Sequence, residues 1–88
     1  MDVKDLRYFI AVYEAKGFSA ACESLCTVPS NVSARIRGLE EFLGVVLFER
    51  HHRTVIPTRS GEELYGHAKQ ILATFDLTAR AVRFSAAP

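Results

Sequence analysis

Val3, Leu6, Phe9, Ile10 and Tyr13 follow the helical three-to-four spacing, with Val3, Leu6 and Phe9 three apart, Ile10 four after Leu6 and Tyr13 three after Ile10, which gathers apolar side chains on one helix face. Residues 3–15 are therefore predicted to form an amphipathic helix. Lys16-Gly17 ends it, with Gly17 expected in the left-handed position that glycine tolerates best. Ser19 is the expected N-cap of a short second helix that buries Ala21, Cys22 and Leu25. A third helix is expected from Pro29 or Ser30. Val32, Ile36, Leu39 and Leu43 form its apolar stripe, and Gly44 stops it.

The period then changes. Val45-Val46-Leu47-Phe48-Glu49 and Thr54-Val55-Ile56 are short β-prone runs around Arg50-His51-His52-Arg53, which reads as a small hairpin. Two strands alone are not stable, so this hairpin must pack on the helices. Pro57 closes the second strand and Thr58 caps a last helix, expected over residues 59–83, with Glu62 and Glu63 favourable near its N-terminus. Residues 85–88 are expected to fray.

The predicted architecture is mainly α. It is a winged helix-turn-helix of three helices and a two-stranded β-hairpin wing, residues 1–58, followed by a long linker and dimerisation helix, residues 59–88. Helices two and three, hinged at Thr27-Val28-Pro29, have the layout in which the second helix enters the DNA major groove. On helical geometry the side opposite the core stripe carries Ser30, Ala34 and Gly38. Asn31 and Arg35 lie on one flank, Ser33 and Arg37 on the other. Asn31 suits bidentate pairing with adenine, Ala34 a thymine methyl, and Arg35 a base edge or a phosphate. Arg37 is expected nearer the phosphates.

Leu64, Ala68, Ile71, Phe75, Thr78 and Val82 step by four and three along the last helix, with Leu72 and Ala79 widening the stripe. This is a heptad seam. It either closes on a second copy, in antiparallel or crossed fashion, or packs internally over its first half. Leu64, Ala68, Ile71, Leu72, Phe75 and Val82 are the candidate dimer contacts.

Composition narrows the function. With 88 residues, 49% of them hydrophobic, the chain is one small domain with a packed core. No apolar run reaches the roughly 18 residues of a membrane span, and the charges of the first helix argue against a signal peptide. Net charge is only +1, but residues 50–61 hold Arg50, Arg53 and Arg59 without one acid. A local basic patch is the electrostatic footprint of phosphate binding. Arg53 at the hairpin tip suits a narrow minor groove. Arg50 either follows the DNA backbone or anchors the hairpin, and His51 and His52 would strengthen binding at lower pH.

Other chemistry finds little support. Cys22 and Cys26, one helical turn apart, lack the usual zinc spacing and read as packing residues rather than a metal or redox pair. In a cytosolic setting a structural disulfide is not expected. Tyr8 and Phe9 read as core, and His67 as solvent-facing. Ser30 and Ser33 have no base and orienter to make a nucleophile, so the chain is not expected to be an enzyme. No cofactor or metal is expected.

The joint pattern resembles the N-terminal DNA-binding domain of LysR-type transcriptional regulators, a bacterial family. The matching residues are Leu6-Arg7-Tyr8-Phe9, Gly17-Phe18-Ser19, Ala20-Ala21, Leu25, Val32-Ser33, Ile36-Arg37, Leu39-Glu40, Leu43-Gly44-Val45, Leu47-Phe48-Glu49-Arg50, and Thr58 with Gly61. The resemblance implies sequence-specific binding to double-stranded DNA as a homodimer, on an interrupted inverted repeat, in the cytoplasm. It adds Ser19 and Pro29 to the candidate DNA contacts. It also implies an effector-binding domain beyond these residues, through which a small-molecule effector and higher assembly would act, so the chain looks like an excised DNA-binding domain. Where family members often carry Ser-Gln-Pro-Ala, this chain has Val28-Pro29-Ser30-Asn31. The frequent glutamine is a proline, which suits the first helical position but donates no hydrogen bond. Base preference is expected to differ accordingly.

Overall fold

Asp2 starts the first helix by a reciprocal cap. Its carboxylate accepts from the Asp5 N–H at 2.8 Å, and the Asp5 carboxylate accepts from the Asp2 N–H at 3.1 Å. In this computed structural model, which describes residues 1–86, the element order is α1 (Val3–Ala15), α2 (Phe18–Leu25), α3 (Pro29–Leu43), β1 (Phe48–His51), β2 (Thr54–Pro57) and α4 (Arg59–Ser85).

The junction between α1 and α2 departs from expectation. Lys16, not Gly17, takes the left-handed conformation, at φ 60°. Gly17 is extended and is itself the N-cap of α2, which starts at Phe18, so Ser19 sits inside the first turn and makes no capping bond. The reason is tertiary. A Cβ on Gly17 would lie 3.0 Å from the Arg53 carbonyl oxygen, and the Val55 N–H donates to the Lys16 carbonyl at 3.1 Å. Glycine is needed for the approach of the hairpin rather than for a positive φ.

α3 begins as the proline allows. Val28 is extended and offers no side-chain cap, and Pro29 opens the helix. Gly44 closes it at φ 70°. Val45 and Val46 lie outside the strand that was expected to include them, in a connection that ends at the fully buried Leu47. The Glu40 carboxylate fixes this connection by accepting from the Leu47 N–H at 2.7 Å. β1 and β2 pair antiparallel, Phe48 with Pro57 through His51 with Thr54, leaving His52 and Arg53 at the tip with His52 at φ 57°.

Thr58 caps α4 as expected, accepting from the Gly61 N–H at 3.1 Å, while its hydroxyl donates to the Val46 carbonyl at 2.6 Å. Gly61 lies so close to the Leu47 carbonyl that a Cβ there would collide with it. One hydroxyl and one missing side chain therefore dock the start of α4 onto the hairpin connection.

The core is drawn from all the helices and the wing. Phe9, Val12, Val32, Ile36, Leu39 and Leu47 are fully buried, and Phe48 packs on Phe9 with ring centroids 5.3 Å apart. Tyr8 is buried and His67 exposed, as expected, while Leu25 is only half-buried. Ala68 and Leu72 of α4 belong to this same core, so two residues assigned to the dimer seam are covered within the chain. Beyond Leu72, Ile71's neighbours on the stripe, Phe75 and Val82, remain exposed. α4 continues to Ser85, two residues past its expected end. Of the residues expected to fray, 87 and 88 lie outside the described residues.

Candidate nucleic-acid interface

The outer face of α3 carries Ser30, Ala34, Arg37 and Gly38, all exposed, with Ser33 half-buried beside them. Pro29 and Val28, also exposed, stand at the head of the helix. Small residues along this face allow close approach to a flat or grooved partner, and Arg37 supplies charge. Among the described residues Arg37 enters no ion pair, so its donors are available to an external anion.

Asn31 and Arg35 behave differently. The Asn31 amide nitrogen donates to the Tyr8 hydroxyl at 3.2 Å and to the Thr27 hydroxyl at 2.9 Å. Both of its N–H donors are thus occupied, whereas bidentate pairing with adenine needs one of them together with the carbonyl oxygen. The Arg35 guanidinium donates to the Asp5 carboxylate at 2.9 Å, lies 3.7 Å from that of Asp2, and sits 5.5 Å from the centre of the Tyr8 ring. The bond to Asp5 raises its pKa further above the ordinary arginine value. Asp2, held chiefly by the Asp5 N–H, stays ionised below the usual carboxylate range. Sequence reading placed both residues on the flank of α3 correctly but missed their partners. Asp2 and Asp5 are legible as a capping pair, yet nothing local to them announces a contact 30 residues away.

The hairpin joins α2 at a second exposed patch. Phe18 and Ser19 line a notch with Arg50, His52, Arg53, Thr54 and Val55. Ser19 and the hairpin tip, remote in sequence, are brought together there. Arg50 stacks over the Phe18 ring at 4.3 Å from its centre, a contact that ties the hairpin to the start of α2. His51 faces Glu49 at 3.6 Å along the same strand. Arg53 has no acidic partner among the described residues and projects at the turn. By contrast, Arg7 and Lys69 are spent on Asp76 and Glu14 at the α1–α4 contact. Arg37 on α3 and Arg53 at the wing tip have no such partner among the described residues.

Metal and redox chemistry gain nothing from the geometry. No cluster of three potential ligands occurs among the described residues. Cys22 is buried and Cys26 exposed, both as free thiols, so the pair of exposed thiols that a redox switch needs is not present. No helix among the described residues is long and apolar enough to cross a membrane.

Comparison with known proteins points the same way. Residues 3–62 match the bacterial regulatory helix-turn-helix proteins of the lysR family. The regulator BenM of Acinetobacter baylyi is 40% identical over 76 residues, covering 86% of this chain and 25% of that protein. The regulator IlvY of Escherichia coli K12 is 40% identical over 75 residues, covering 85% and 25%. Among solved structures, the CbnR DBD–DNA complex superposes with a TM-score of 0.95 at 34% identity, over 99% of this chain and 100% of that one. The BenM DBD/benA site 1 DNA complex gives a TM-score of 0.92 at 36% identity, over 98% and 100%. The chain spans about a quarter of the length of the curated relatives it matches.

Proposed function

Because the chain belongs to the lysR family of bacterial helix-turn-helix regulatory proteins, we propose that it binds a specific duplex DNA sequence as a homodimer, in the cytoplasm, on behalf of a transcriptional regulator. The observation that carries this reading is the coincidence of an exposed small-residue face on α3 with two cations that have no acidic partner among the described residues, Arg37 beside it and Arg53 at the wing tip. Ser30, Ser33 and Ala34 face the major groove, with Pro29 at the head of the helix. Arg37 takes a phosphate. Ser19, Arg53 and the two histidines follow the backbone, and Arg53 reaches the adjoining minor groove.

The division at residue 58 is functional rather than physical. α4 shares the core through Leu72, and the linker role belongs to the helix beyond that point. Leu64, Ile71, Phe75 and Val82 close on a second copy. The resulting two-fold axis sets two α3 helices on one side of the duplex and calls for an interrupted inverted repeat. A small-molecule effector would act through a further domain, as would higher assembly.

A gel-shift titration against duplex DNA at several salt concentrations tests the reading. Binding should weaken steeply with salt, since each neutralised phosphate releases a counterion. Selection on a random duplex library should return a two-fold symmetric site. Absence of any preferred sequence would reject specific recognition.

A further inference from the structure

Arg35 is the cation that the helical pattern would send to the bases, and it is turned to α1 instead. Its guanidinium donates to Asp5 at 2.9 Å with Asp2 at 3.7 Å behind. The contact is semi-enclosed, with Arg35 28% and Asp5 17% exposed at the side chain. Asp5 is itself fixed by accepting from the Asp2 N–H, and its second oxygen lies 4.0 Å from the amino terminus. Tyr8 lies under the guanidinium and takes the Asn31 amide on its hydroxyl. Two flank residues of α3 are thus tied to one end of α1 by a single connected network.

We infer that Asp5 withholds Arg35 from base readout, so that Arg35 is a positioning residue that clamps α3 onto α1. This rests on the DNA reading above. Base preference then falls to Ser30, Ser33 and Ala34. The physical reason is an exchange that gains little. Moving the guanidinium from Asp5 to a phosphate trades one charge-assisted bond for another. It also leaves two carboxylates, Asp2 and Asp5, without their cation beside a polyanion. The acidic cap of α1 therefore decides what the recognition helix can offer, although neither carboxylate lies on α3.

The test is a cycle of Asp5→Asn, Arg35→Ala and the double variant. Arg35→Ala alone should leave the salt slope of binding unchanged and, with α3 held less firmly, weaken binding evenly across sequences without relaxing any one base position. Asp5→Asn should steepen the slope by about one unit, the effect of one added phosphate contact, and should shift base preference. Removing Arg35 from the Asp5→Asn protein should abolish that gain. The assignment is overturned if Arg35→Ala flattens the slope or relaxes one base position while Asp5→Asn changes neither. Thermal unfolding of the four proteins without DNA reads the clamp separately. The two single losses in Tm should not add in the double variant, and additive losses would overturn the clamp. A wild-type chain that binds no duplex would overturn the DNA reading itself, with the unfolding cycle still deciding whether Asp5 holds Arg35.

Discussion

Tyr13 of α1 and Tyr65 of α4 stack face to face, with ring centroids 3.9 Å apart and planes 7° from parallel. The Tyr65 hydroxyl donates to the Glu14 carboxylate at 2.6 Å, and Lys69 approaches the same oxygen at 3.5 Å. About one and two turns further along α4, Ala68 and Leu72 enter the core. This cluster fixes α4 against α1 and so sets the direction in which α4 leaves the three-helix body.

Glu14 and Tyr65 should give stability a pH dependence of defined sign. The Tyr65 hydroxyl holds the Glu14 carboxyl below its ordinary value of 4.5, so this contribution is complete above that pH and is lost as pH falls through the lowered value. Glu14 in turn raises the Tyr65 pKa above 10.0, so the tyrosine's contribution is present below that pH and is lost as pH rises through the raised value. Tyr65→Phe should lower Tm slightly at pH 7 and flatten both limbs of the profile. Melting curves from pH 3 to 11 with parallel limbs for both proteins would remove the pair as a source of pH dependence.

Two glycines in the same helix should respond oppositely to alanine. Gly66 has open space around it, and Gly66→Ala should stabilise by about 0.5–1 kcal/mol through helix propensity alone. Gly61→Ala carries the same propensity gain but drives a methyl into the Leu47 carbonyl, and should destabilise by about 1–3 kcal/mol net. Denaturant unfolding decides. Stabilisation by both changes would mean that the α4–hairpin junction can relax, and destabilisation by both would reject the open surroundings of Gly66.

Much of the fold is legible because it is local. The apolar stripes of α1 and α3, the Gly44 stop and the Thr58 cap are each written within a few residues. What escapes is set across space. Gly17 looks like a C-cap until the Arg53 carbonyl is seen against it. Val45 and Val46 have strand propensity, but the chain spends them in crossing to Leu47. A helical wheel places Asn31 and Arg35 on a flank and cannot say that Tyr8 and Asp5 wait there. Likewise a heptad does not distinguish residues that meet the chain's own core, Ala68 and Leu72, from those free to meet a copy.

The two arginines of the wing should separate cleanly. Arg53→Ala should reduce the salt slope of DNA binding by about one unit and leave Tm unchanged, because the side chain has no ion-pair partner among the described residues. Arg50→Ala removes the stack on Phe18 and should cost about 0.5–1 kcal/mol of stability, with a smaller effect on slope. The reverse pattern would exchange their roles, making Arg50 the phosphate contact.

Assembly should depend on the part of α4 that its own core does not cover. Ile71, Phe75 and Val82 are 43%, 51% and 62% exposed, and follow one another at helical spacing. Phe75 is the largest of them, so its exchange for aspartate places an unpaired charge where an apolar interface would form, which is costly. It should not harm the fold of the single chain, since half the ring already faces solvent. Sedimentation of Phe75→Asp should show monomer where the wild type is dimeric. Binding to a duplex with two half-sites should lose its extra affinity, while a single half-site is scarcely affected. Leu77, 61% exposed, is the control. It stands about 200° around the helix from Phe75 at 100° per residue, so Leu77→Asp should leave the dimer intact. A wild-type chain that stays monomeric at high concentration and on DNA would end the two-copy reading. A dimer broken equally by both substitutions would place the interface elsewhere on α4.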